Sequence, residues 1–170
     1  MKTICLSPFL TLTTCALAAA LSACGGGDDA AASAATTTPG ALTISAASNA
    51  SRNGSYTPTG GVFTSGADSG FNGATADGKF EMEVLWASNA TIKRAAVWFF
   101  NNANTPSATI SFFGCNGATI ACTGVSYDPA SKQVVFNKVA FAQVSDAGSA
   151  TSTKVAGGET LTVDGSITAK

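Results

Sequence analysis

The sequence predicts an all-β domain, an antiparallel two-sheet β-sandwich of Ig-like or similar kind, with a small β-barrel as the alternative. Three observations lead there. About seven to nine short runs of β-forming residues occupy roughly 130 residues after position 40. Turn-forming strings such as Asn53-Gly54, Gly60-Gly61 and Asp128-Pro129-Ala130-Ser131 separate them. No segment sustains a helical period between a cap and a stop. Closure of a sheet leaves no mark in sequence, which keeps the barrel in play.

Residues 41–45 alternate (Ala-Leu-Thr-Ile-Ser) and open the domain as a strand. Residues 49–76 read as loop-rich, with a short strand near residues 61–64, because Asp68-Ser69-Gly70 and Asn72-Gly73 are turn signals. The clearest strand covers residues 79–87. Phe80, Met82, Val84 and Trp86 fall on one face there, and Glu81 and Glu83 on the other. Residues 91–100 return after Ser88-Asn89 to make a hairpin. A two-residue loop at that point sets Glu83 opposite Arg94 as a modest ion pair. Val97-Trp98-Phe99-Phe100 is apolar on both faces, which suits a central, covered strand. Residues 108–113, 119–127, 132–144 and 159–169 complete the set, and residues 146–153 form a small polar loop.

The first part of the 170-residue chain reads as a targeting segment. Lys2 is followed by a mostly apolar stretch from Ile4 to Leu21, broken by Pro8 and several threonines and ending in small residues. The string Leu21-Ser22-Ala23-Cys24 resembles the lipobox of bacterial lipoproteins. That resemblance covers only the first two dozen residues. It implies that residues 1–23 are a signal peptide, that the Cys24 thiol carries a diacylglyceryl group, and that the freed amine is acylated, commonly with palmitate. A thiol is the side chain nucleophilic enough at neutral pH to take the lipid. At about 0.8 kcal/mol per buried CH₂, two or three acyl chains hold a protein durably on a membrane. An uncleaved membrane span is the alternative, and Pro8 with the threonines makes it a poor one.

Residues 24–40 then read as a flexible tether of Gly, Ala, Ser and Thr, and residues 41–170 as a single β-rich domain. Gly25 follows the lipidated cysteine. In enteric bacteria an Asp there favours inner-membrane retention, so the resemblance points to the outer membrane, facing the periplasm or the cell exterior.

Loss of the signal peptide removes Lys2, leaving 8 basic against 10 acidic residues, a net charge of −2. That balance gives no footing to nucleic acid as a partner. Charged residues are 11% of the chain, against roughly 25% in ordinary soluble domains, so the surface is built from Ser, Thr, Asn and Gly. Of the five cysteines, Cys5 and Cys15 leave with the signal peptide and Cys24 takes lipid. Cys115 and Cys122 remain, and in an oxidising compartment they pair with each other. A tight turn at Asn116-Gly117 would carry them apart, so the bridge is expected to close a wider loop with that pair as a bend inside it. A zinc site is the alternative, but it would need two carboxylates in addition.

The chain has no histidine, which removes Ser-His-Asp and Cys-His nucleophilic sites and histidine-bound metals. The carboxylates Asp68, Asp77, Glu81, Glu83, Asp128, Asp146, Glu159 and Asp164 remain. A glycosidase needs two of them across a cleft. Glu81 and Glu83, though, sit where solvated charges belong, and Asp128, Asp146 and Asp164 lie in turn-like settings. Asp68-Ser69-Gly70-Phe71-Asn72-Gly73 opens like a calcium loop, but Lys79 stands where a bidentate Glu is needed. Neither a metal nor any cofactor beyond the lipid on Cys24 is expected.

Trp86, Trp98, Phe99, Phe100, Phe112 and Phe113 read as core before they read as a ligand platform. Tyr56, Phe63 and Phe71 lie in the loop-rich region and are the better candidates for exposed binding aromatics. The expected function is that of a lipid-anchored envelope module without catalysis, held to the membrane and meeting an envelope protein, glycan or small ligand. A structural or assembly role is the alternative, and a carboxylate hydrolase stands behind both.

Overall fold

The computed structural model describes residues 40–100, 110–146 and 149–170. Cys24, the signal segment and the tether lie outside the described residues, as do residues 108–109 of one expected strand and 147–148 of the expected loop. All described residues belong to one compact unit of the chain.

Among the described residues there are ten strands: β1 (Leu42–Ser45), β2 (Gly54–Tyr56), β3 (Thr59–Ser65), β4 (Asp68–Ala74), β5 (Phe80–Trp86), β6 (Ile92–Phe100), β7 (Ile110–Cys115), β8 (Val125–Asp128), β9 (Gln133–Val144) and β10 (Thr160–Thr168). Every pairing is antiparallel. The strands lie in the order β2-β1-β10-β9-β7-β6-β5-β4-β3, with β8 also paired to β9. A single 3₁₀ turn, Ala50–Arg52, sits between β1 and β2, its start capped by the Asn49 side chain on the Ser51 amide.

The two edges of this sheet, β2 and β3, are joined in sequence by Thr57 and Pro58 alone. Laid flat at about 4.8 Å per strand, nine strands would set their outer members about 38 Å apart. Three peptide links from Tyr56 to Thr59 reach about 11 Å at most. The sheet therefore has to curl, and it does so into a half-barrel. Contacts across the seam agree: the Val62 amide of β3 donates to the Lys170 carbonyl just beyond β10, at 3.2 Å.

The all-β, antiparallel expectation holds. Hydrogen bonding runs unbroken through one sheet, and the two separate sheets of the expected sandwich are not seen among the described residues. The curled sheet supplies both walls of its own core.

Alternation along the strands fills that core. Phe80, Met82, Val84 and Trp86 of β5, Ala95, Val97 and Phe99 of β6, and Leu161, Val163 and Ile167 of β10 are all buried. Rings meet inside it: Phe99 lies edge-on to Phe80 and to Phe113, and Trp86 stacks on Tyr127 at 4.0 Å between centroids. A bulge helps the sheet bend. Val139 pairs with Val163 and Phe136 with Gly165, so Asn137 and Lys138 together face Asp164. Gly165 there has φ +125, and a Cβ would come within 2.4 Å of the Ala41 carbonyl oxygen.

Three expectations need correction. The region expected to be loop-rich contains β4 and a full hairpin with β3, turning at Gly66 (φ +62) and Ala67. The hairpin of β5 and β6 has a longer turn than two residues, with Ala87 and Thr91 bonded across it. Its register sets Leu85 opposite Arg94, and Ala96 opposite Glu83. The expected strand over 119–127 is reduced to β8, because residues 116–122 form a disulfide-closed loop.

Candidate functional site

The outward face beside the turn between β5 and β6 holds a concavity. Antiparallel alternation sends Glu83 and Leu85 of β5 and Arg94 of β6 out from the core. Arg94 forms an ion pair with Glu83, reaching it diagonally, and both side chains are about one-fifth exposed (19%/19%). Next to it Lys93 Nζ meets Asp68 Oδ2 at 2.9 Å, on a more solvated surface. The cavity occupies about 500 Å³, within the roughly 300–1,000 Å³ of small-molecule sites. Leu85, Ile92, Ala118 and Ala150 supply its apolar surface, and Asp68 and Lys93 stand at it as a pair.

One wall is the loop closed by the Cys115–Cys122 disulfide, whose Cα atoms are 5.1 Å apart. Asn116 is buried inside that loop and organises it. Its Oδ1 accepts from the amides of Thr119 and Ile120, each at 2.9 Å. Its Nδ2 donates across to the carbonyls of Ala150 and Ser152, at 3.0 and 3.1 Å. A strong turn signal in sequence is therefore a clasp between two loops. Gly117 (φ +67) lies so close to β6 that a Cβ would sit 2.9 Å from the Lys93 carbonyl oxygen.

A second polar cluster lies on the core side. Arg52 is 6% exposed and lies over two rings, 4.9 Å from the centroid of Phe99 and 5.2 Å from that of Phe113. Its Nε donates to Glu159 Oε2 at 2.7 Å and its Nη2 to Ser111 Oγ at 2.9 Å. Its backbone carbonyl accepts the Tyr56 hydroxyl at 2.8 Å. No buried side-chain atom of these residues is left without a hydrogen-bond partner, so the cluster reads as a fastening of the fold.

Of the aromatics expected to bind, Phe71 is a correction: it is 2% exposed and belongs to the core, because β4 alternates and points it inward. Tyr56 is half-buried against Phe80, and that burial raises its phenol above the ordinary value. Phe63 is half-buried with its ring over Gly70, where a Cβ would meet Cζ at 2.5 Å. The three do not form one platform: Phe71 faces the core with Val84, while Phe63 and Gly70 pair on the outward face.

On the outward face of β6 and β7, Trp98 and Phe112 are half-buried neighbours 6.1 Å apart, with Trp98 Nε1 donating to Glu81 Oε2 at 3.1 Å. Glu81 and Glu83 are thus each held by a residue of β6. Asp68 belongs to β4 and pairs with Lys93, so the calcium-loop likeness ends at the sequence. Asp77 and Asp128 are turn acids held below the usual carboxylate range, the first by the Thr75 hydroxyl and the Lys79 amide, the second by the Ser131 hydroxyl and the Ala130 amide. Among the described residues no three acidic or cysteine side chains group as a metal site would need.

Sequence reasoning missed Arg52, Lys93 and Asn116 as residues of consequence. Nothing local marks Arg52 for burial. Asn116-Gly117 gave a signal, read only as a bend. Comparison with known protein families, curated proteins and solved structures finds no match to this chain.

Proposed function

We propose that this protein is a lipid-anchored cell-envelope module that binds rather than catalyses, tethered through Cys24 and presenting its β domain away from the membrane. The observation that carries the binding half is the cavity beside Leu85, Ile92 and Lys93, built on two central strands and walled by a disulfide-closed loop. Loops fixed on a rigid sheet are where recognition usually resides. The anchoring half rests on Leu21-Ser22-Ala23-Cys24 and the tether that follows it.

Cell fractionation tests the anchor. Wild-type protein is expected in the outer-membrane fraction, with an intact mass from Cys24 onward plus acyl chains. Cys24→Ser is expected in the soluble fraction or unprocessed. A Cys24→Ser protein that still takes lipid label removes the anchor from the proposal.

A second reading, envelope assembly, is favoured by β3. It is a sheet edge with no charged side chain between Thr59 and Ser65, and Val62 is 47% exposed. The Val62 amide is bonded to the Lys170 carbonyl, but no charged side chain guards this edge, and such edges pair with other strands. A stable oligomer that Thr64→Lys disperses, while ligand binding survives, would make assembly the main role.

A further inference from the structure

We infer that the cavity beside the β5–β6 turn takes an uncharged, mostly apolar small molecule, an inference that rests on the binding reading above and names its ligand class. The argument is one of charge already answered. Two cations, Lys93 and Arg94, line the cavity, and both carry a carboxylate of this chain: Asp68 at 2.9 Å from Lys93, and Glu83 on Arg94. An anionic ligand would compete with those carboxylates and be repelled by them, and a cationic one would compete with the two side chains that hold them. Either exchange trades one ion pair for another and gains little.

Of the other polar side chains at the wall, Asn116 is equally committed and Thr91 is uncharged. Asn116 Oδ1 holds the amides of Thr119 and Ile120, and Nδ2 holds the carbonyls of Ala150 and Ser152. What the cavity offers without rearrangement is the surface of Leu85, Ile92, Ala118 and Ala150, with the uncharged Thr91 beside it. Burying apolar ligand surface there is favourable at about 25 cal/mol per Å². The Asp68–Lys93 pair at its side penalises a charged body and leaves a flat neutral one unopposed.

The probes are N-phenyl-1-naphthylamine, which is neutral, and its anionic relative 8-anilinonaphthalene-1-sulfonate. Both fluoresce on leaving water. They are titrated into the chain from Gly25 onward, which keeps every described strand, the core and the disulfide and avoids detergent. The expected result is saturable one-to-one binding of the neutral probe, at least tenfold tighter than of the sulfonate. Ala118→Trp and, on the loop clasped to it by Asn116, Ala150→Trp are each expected to weaken it tenfold or more. Ala130→Trp, in the turn between β8 and β9, is expected to leave it unchanged. Circular dichroism checks that each variant is folded.

Tighter binding of the sulfonate, blocked by Ala118→Trp, would overturn the ligand class and leave the binding module standing. Saturable binding untouched by both cavity variants would overturn the site. No saturable binding of either probe would overturn the inference, while the anchor would still be decided by the fractionation of Cys24→Ser.

Discussion

Tyr56 stacks on Phe80 with ring centroids 4.5 Å apart and planes 26° from parallel, although their strands, β2 and β5, stand far apart in the order of the sheet. The contact exists because the sheet curls, and it fastens the seam where the edges come together. The Tyr56 hydroxyl also holds the Arg52 carbonyl, tying the 3₁₀ turn to the same point.

Tyr56→Phe is expected to cost about 1 kcal/mol at neutral pH, the net worth of one hydrogen bond. It should also change the alkaline limb. Burial raises the Tyr56 pKa above 10.0, so the folded state favours the neutral phenol. That contribution is complete below pH about 10 and is lost as pH rises through the folded value. Urea midpoints measured from pH 8 to 11 should fall more gently in Tyr56→Phe than in wild type. Parallel curves would mean that another group titrates.

Arg52→Ala is expected to destabilise the domain by about 3 kcal/mol. That is the low end for breaking a buried pair, because Glu159 is about a third exposed and partly screened. Arg52→Met keeps a long side chain between Phe99 and Phe113 and should recover part of the loss. A Met variant as unstable as the Ala one in chemical denaturation would show that charge, not packing, dominates.

Asn116→Ala removes both halves of the clasp and should cost about 2–3 kcal/mol, since the Thr119 and Ile120 amides and two carbonyls lose their partner. Hydrogen exchange at Thr119 and Ile120 is expected to accelerate well before that of β5 or β6. Equal acceleration everywhere would mean the clasp is part of the global fold.

The double variant Cys115→Ser, Cys122→Ser should lose about 2–3 kcal/mol, the loop-entropy value for so short a bridge. Native protein should show no labelled thiol at either position until reductant is added. Rapid labelling without reductant would rule out the disulfide in the native protein.

On the acid side, Asp77 and Asp128 have lowered pKa values in the folded protein. Their contribution is present above the unfolded value near 4 and is lost as pH falls through the folded one. Asp77→Asn with Asp128→Asn should therefore flatten the stability curve below pH about 4. Thermal scans from pH 2 to 6 would reveal it, and a curve as steep as wild type would assign the acid limb elsewhere.

The strands that announce themselves are those with one face in the core and one in water. β5 and β10 are read correctly because alternation is what such a position demands. β4 was hidden for a physical reason. Gly70 and Gly73 signal turns, yet they serve here as gaps for rings: Phe63 lies over Gly70, and Phe71 takes the space a Cβ at Gly73 would fill. The cavity was illegible for another reason. Asp68, Leu85, Lys93 and Ala150 come from four separate segments, and only the register of the sheet and the Asn116 clasp bring them to one place.

The pairing of Leu42 with Gly165 has a consequence for how the molecule is made. The first described strand finds its main partner in the last, across most of the domain's length, a high-contact-order arrangement of the kind that slows folding. While the chain emerges from a ribosome, β1 has only the three-residue β2 to lean on. The core cannot close until residues 160–168 arrive. Until those residues have emerged the chain has no closed core, and the topology itself delays folding to that point.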